Sequence, residues 1–191
     1  DTIKSIDSDG VVSLLASMVG FAPTGLALGL GRDFGTDLHV MDQSGTIRTV
    51  SPLGQVSLFA GVDTGSSIGS AETLAFGQPD TAFGDYLYLA EANNDEILRV
   101  DPTASVSTFA TGFAGFSTGG VTGLEFSPDG KTLFVTDDGA NTIYAIRVHE
   151  VLPRIYCTAK TSSAGCMASI STTDLGAQPF SGARDYFVTA S

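Results

Sequence analysis

The chain has 191 residues, enough for one domain with a sizeable core or a domain with an appendage. Its formal net charge is -12, with nine basic against 21 acidic residues, so a phosphate backbone would meet repulsion and a nucleic-acid partner is excluded. No uninterrupted apolar run reaches the roughly 18 residues of a membrane-spanning helix, while 42% hydrophobic content and 23 glycines suit a turn-rich all-β fold.

Residues 1–21 read as half of a four-stranded unit, with Thr2 to Ile6 as one strand, Asp7-Ser8-Asp9-Gly10 as a hairpin turn and Val11 to Ala16 as the outer strand. Asp7 and Asp9 lack the further oxygen ligands and terminal glutamate of an EF-hand loop, so they are assigned to turn formation. Residues 23–62 hold a first complete unit: Pro23 to Leu28 innermost, then Asp37 to Met41, Thr46 to Val50 and Gln55 to Ala60. Residues 70–113 hold a second, with Glu72 to Phe76, an insertion from Gly77 to Asp85, then Tyr86 to Glu91, Glu96 to Val100 and Val106 to Ala110. In the third, residues 120–150, the runs Val121 to Phe126, Thr132 to Thr136 and Ile143 to Ile146 are separated by the turn clusters Ser127-Pro128-Asp129-Gly130 and Asp137 to Asn141.

The units share one register. Ile3, Ile47, Ile97 and Ile143 open matching segments 44, 50 and 46 positions apart, a period that belongs to β-propeller blades, in which small antiparallel sheets fan around a channel. Runs such as Leu87-Tyr88-Leu89 and Leu133-Phe134-Val135 are apolar at consecutive positions, which in a strand means that both faces are covered. His39 falls where the other units have Tyr88 and Phe134, so it is assigned to packing between sheets rather than to catalysis. The expected fold is therefore an all-β, partial propeller of about three and a half blades over residues 1–150, comprising a half blade at 1–21 and blades at 23–62, 70–113 and 120–150.

Beyond Arg147 the pattern stops. Residues 151–191 are rich in Ser, Thr, Ala and Gly and read as a small β tail. Cys157 and Cys166 have eight residues between them, in a stretch without partners for a zinc site. A disulfide would close that loop, which favours an oxidising setting: extracellular, periplasmic or at a cell surface.

The segment Leu124 to Asp137, LEFSPDGKTLFVTD, resembles the repeat of SMP-30/gluconolactonase-like and NHL-repeat propellers, whose members are usually six-bladed. Tyr156 to Cys166 is similar to the opening of a short C-terminal module of secreted bacterial proteins, one that normally continues past the point reached here, so the expectation is a fragment or an open, incomplete propeller. The propeller resemblance implies a divalent metal such as calcium in the channel, held by residues at the starts of inner strands. Carried over, those positions are Thr24, Glu72 and Thr122, with Glu72 the candidate metal ligand. One carboxylate and two hydroxyls make a poor calcium site, because the ion takes six to eight oxygens with carboxylates among them.

Asp42, Glu91 and Asp137 each end the second strand of their unit. A catalytic group is needed once, so repetition assigns them to capping the turn that follows. The cluster Glu91, Asn93, Asn94, Asp95 and Glu96 is expected as a solvated loop. The sequence holds no P-loop or dinucleotide fingerprint. The expectation leans away from an enzyme, towards a secreted or surface-exposed, non-catalytic scaffold that binds a small molecule or protein. The alternatives are a metal-dependent lactonase and, more weakly, a quinone-dependent sugar dehydrogenase.

Overall fold

The computed structural model describes residues 1–61, 68–69, 71–92, 94–113 and 121–148, with Glu72, Val121 and Thr122 described by their backbone alone. Thirteen strands among the described residues form four antiparallel sheets. The first sheet pairs β1 (Thr2–Ile6) with β2 (Val12–Ser17). The second runs in chain order through β3 (Pro23–Leu28), β4 (Leu38–Asp42), β5 (Ile47–Val50) and β6 (Val56–Ala60), and the third through β7 (Ala71–Phe76), β8 (Leu87–Glu91), β9 (Glu96–Val100) and β10 (Val106–Thr111). The fourth has β11 (Val121–Phe126), β12 (Leu133–Asp137) and β13 (Thr142–Ile146). The strands expected in residues 1–150 are all present, with β2, β4 and β12 displaced by one residue towards the C-terminus.

The repeat is one of register as well as spacing. Ile47, Ile97 and Ile143 pair across the ladder with Met41, Ala90 and Thr136, the same step in each sheet. The hairpin between the third and fourth strands is also copied. Asp7, Ser51 and Asp101 each use one side-chain oxygen to accept from the backbone N–H groups two and four residues on, at 2.8 to 3.3 Å. The Thr103 hydroxyl and those N–H groups hold the Asp101 carboxyl below the ordinary carboxylate range. Asp7 thus does the turn work expected of it.

Three buried clusters lie between successive sheets, and alternate residues of one strand enter different clusters. In β8, Leu87 and Leu89 join the cluster shared with the second sheet, whereas Tyr88 and Ala90 join the one shared with the fourth. Consecutive apolar residues therefore mean a strand covered on both faces, as pleating requires. Ile47 and Ile97, both 0% exposed, face the following sheet, while Val50, Val100 and Ile146 face the preceding one.

At the ends of the stack this rule predicts which apolar residues meet water. Ile6, equivalent to Val50, has no preceding sheet among the described residues, and Ile143 has no following one; both are 69% exposed. Phe134 is 41% exposed for the same reason, which corrects the expectation that its run is covered on both faces.

His39 packs as expected of a filler. It is 1% exposed, with its ring edge-on to Phe59 and Phe76 at 5.0 Å and to Phe34 at 5.8 Å. Burial lowers its pKa below the usual histidine value, against the opposing pull of the Asp37 carbonyl 3.2 Å from Nδ1. Its equivalent, Tyr88, donates its hydroxyl to the Phe83 carbonyl at 2.6 Å, and Phe83 sits edge-on to Phe126 at 5.0 Å. The insertion before β8 is thus fastened into the core between the third and fourth sheets. Residues 151–191, with the small β tail and the pair Cys157 and Cys166, lie outside the described residues.

Candidate functional site at the inner strand ends

β3, β7 and β11 are the first strands of their sheets, and β7 lies beside both others. Each opens with the same irregularity. Pro23 pairs with Asp42 but Gly25 with Met41; Ala71 pairs with Glu91 but Thr73 with Ala90; Val121 pairs with Asp137 but Gly123 with Thr136. The unmatched residues are Thr24, Glu72 and Thr122, the three positions singled out as candidates for the channel mouth. A bulge of this kind bends the strand and re-aims a side chain, and bulges recur beside binding sites. Backbone register thus places the three at equivalent points, at one end of adjacent strands, with Asp42, Glu91 and Asp137 one step away across each ladder. The bulge itself is not signalled by sequence spacing, because the extra residue is absorbed within a strand of ordinary length.

The side chains can be followed for Thr24 and the carboxylates. The Thr24 hydroxyl donates to the Met41 carbonyl at 3.4 Å. One Asp42 oxygen accepts from the Ser44 N–H at 3.0 Å, the Ser44 hydroxyl at 2.7 Å and the Thr46 N–H at 2.9 Å. One Glu91 oxygen accepts from the Asn94 N–H at 3.0 Å and its side-chain amide at 2.8 Å. Asp137 Oδ1 accepts from the Ala140 N–H at 3.0 Å. All three accept from backbone N–H groups of the turn that follows.

Glu91 is more buried than a solvated loop allows. It is 1% exposed, and the cluster expected to be solvated has its first member inside the protein. The strand end tucks the carboxylate under the turn it caps, where Asn94 supplies donors that replace water. Asn93 and His149 lie outside the described residues. Asp137 is likewise 2% exposed, and its Oδ2 atom is buried with no hydrogen-bond partner among the described residues.

The described donors make a poor calcium set. The mouth positions supply one carboxylate and two hydroxyls, the Thr24 hydroxyl is turned to its own sheet, and one oxygen of each capping carboxylate is engaged by its turn. No group of three or more His, Cys, Asp or Glu side chains gathers in metal-holding geometry among the described residues.

No family model matches this sequence, and no curated protein matches it. Its backbone is similar to that of solved structures. Virginiamycin B lyase from Staphylococcus aureus superposes with a TM-score of 0.55 at 16% identity, over 76% of this chain and 45% of that one. Nidogen, in its complex with laminin, gives 0.53 at 16% over 70% and 46%. The fold is that of a β-propeller. A gluconolactonase from Xanthomonas campestris gives 0.51 at 15% over 71% and 41%. The propeller therefore resembles two enzymes and a protein solved with a binding partner, and it spans less than half the length of each. No helix among the described residues is long and apolar enough to cross a membrane.

Proposed function

We propose that this partial propeller is a non-catalytic scaffold, secreted or displayed at a surface, that presents the inner strand ends and their turns to a small molecule or a protein. One observation carries this reading: the carboxylates across the ladder from the mouth positions are used to build turns. Asp42 satisfies three donors with a single oxygen, and Glu91 and Asp137 are withdrawn from solvent. A group that is to ligate a metal or move a proton must instead point at the reacting molecule. Repeated turns of near-identical build, set on rigid sheets, are the kind of platform on which binding loops vary.

A second reading, a metal-dependent lactone hydrolase, is favoured by the bulge at each mouth position, since it sets Thr24, Glu72 and Thr122 apart from ladder residues. The two readings separate in calorimetry of the full chain titrated with calcium, followed by a lactone hydrolysis assay. The scaffold reading expects no saturable binding that depends on Glu72 and no turnover. Saturable calcium binding that Glu72→Gln abolishes, together with hydrolysis, would overturn it.

A further inference from the structure

We propose that Asp138 is a site of spontaneous covalent modification, converted through a cyclic imide to isoaspartate in the turn between β12 and β13. An aspartate followed by glycine is open to this reaction because glycine has no side chain to shield its backbone nitrogen. The sequence has three such steps, Asp9-Gly10, Asp129-Gly130 and Asp138-Gly139, and the fold sets them apart. In the first two the glycine closes the turn: the Gly10 N–H donates to the Asp7 carbonyl at 3.0 Å and the Gly130 N–H to the Ser127 carbonyl at 2.8 Å. Asp138 instead opens its turn, its carbonyl accepting from the Asn141 N–H at 3.2 Å. Gly139 then stands at the second position, whose N–H the turn does not use. Neither the Gly139 N–H nor the Asp138 carboxylate makes a hydrogen bond among the described residues, and both residues are exposed. The Asp129 carboxylate, by contrast, accepts from the Ser127 hydroxyl at 2.6 Å and the Lys131 N–H at 3.1 Å, bonds that keep its carboxyl below the usual carboxylate range. Gly130 is also buried, wedged against Gln78 and Thr81.

The step is a ring closure followed by hydrolysis. The Gly139 nitrogen attacks Cγ of the protonated Asp138 carboxyl, a C–N bond forms, and the carboxyl hydroxyl leaves with the amide proton as one water. Water then adds to either imide carbonyl. Opening at one restores aspartate; opening at the other carries the main chain through the side-chain methylene and leaves the former α-carboxyl as the free acid. No oxidant, reductant or cofactor enters, and the first and last species have equal mass. The isomer lengthens the backbone by one carbon between Asp137 and the Ala140 N–H that its Oδ1 accepts at 3.0 Å. The product therefore reshapes the fourth sheet's turn at the inner strand ends.

The test is peptide mapping of the full chain after prolonged incubation at neutral pH, once native and once in urea. Trypsin puts the three steps on separate peptides, 5–32, 100–131 and 132–147, and electron-based fragmentation distinguishes isoaspartate from aspartate. In the native chain isoaspartate accumulates in 132–147 about tenfold faster than in either of the others, because a hydrogen bond that must be given up before ring closure slows it by that order. In urea the three rates converge, since the turns are gone and the same dipeptide is left. Asp138→Glu keeps the charge but must close a larger ring, so it abolishes the signal in 132–147 and leaves the other peptides unchanged. No isoaspartate at Asp138, a native rate at Asp9 or Asp129 that equals or exceeds it, or a native ranking that persists undiminished in urea overturns the proposal.

Discussion

The hairpin between the third and fourth strands occurs three times with one hydrogen-bond pattern but different residues at its fourth position, and this sets up a graded experiment. Gly10, Gly54 and Ala104 all sit at positive φ, +80°, +78° and +66°. An L-residue there costs about 1–2 kcal/mol relative to glycine, because its Cβ crowds the following carbonyl. Nothing lies within 4 Å of a Cβ added at Gly10, so Gly10→Ala should cost only that conformational increment. A Cβ at Gly54 would run into the backbone carbonyl of Leu15, where the turn of the second sheet seats on the first. Gly54→Ala should therefore lose a further ~1–3 kcal/mol from overpacking against backbone that cannot swing away. Ala104 already bears the strain, so Ala104→Gly should gain up to about 1 kcal/mol, less than the full relief because glycine also loosens the unfolded chain. Urea unfolding followed by tyrosine fluorescence and far-ultraviolet circular dichroism gives the three values. Equal losses for Gly10→Ala and Gly54→Ala, or a destabilised Ala104→Gly, would refute the claim that the turns are copies differing only in what they touch.

Two further outcomes follow from the packing. His39 has a lowered folded pKa, so the unfolded chain takes up the proton first; stability that is present above the ordinary histidine value of about 6.5 is lost as pH falls through the folded value. Thermal melts at neutral and mildly acidic pH should show a loss in the wild type that His39→Phe, which adopts the residue of the equivalent position Phe134, diminishes. Ile97→Lys, at a position 0% exposed, should destabilise by several kcal/mol because it leaves a charge in the core. Ile143→Lys, at a position 69% exposed, should stay within about 0.5 kcal/mol, and equal losses for the two would refute the difference in their packing.

Much of this architecture was legible because the repeat acts on residue type at fixed steps. The isoleucine that opens each third strand, the paired apolar residues of each second strand and the Asp or Ser that starts each outer hairpin are demanded by pleat and turn geometry, so they recur. Exposure at the ends was not legible from composition. Ile143 and Ile97 occupy the same register and differ in whether another sheet follows among the described residues. The inner-strand bulges were hidden too. A bulge adds one residue to one strand, and Thr24, Glu72 and Thr122 share no residue type that announces it. The burial of Glu91 was missed because a cluster of Asn, Asp and Glu reads as solvent-facing, whereas the ladder pairing of Ala71 with Glu91 draws its first member inward.

The same contrast separates scaffold from site. Asp42, Glu91 and Asp137 keep an acidic oxygen at the same turn in the second, third and fourth sheets because each of those turns needs a cap, and a role needed in every copy is structural. At the bulge the backbone is copied while the side chain changes from hydroxyl to carboxylate to hydroxyl. Geometry held constant while chemistry varies is what a surface selected for one ligand would produce, since each position meets a different part of that ligand. Asp137 Oδ2 is the exception that tests this division. It is a turn carboxylate with one buried oxygen lacking a partner among the described residues, so its turn-capping role engages only one of its two oxygens. If that oxygen serves only the fold, Asp137→Asn should leave the turn in place and stability nearly unchanged, because the amide oxygen can still accept from the Ala140 N–H. A large loss of stability, measured by urea unfolding, would mean that the second oxygen is engaged in solution and that the fourth sheet's turn does more than close a hairpin.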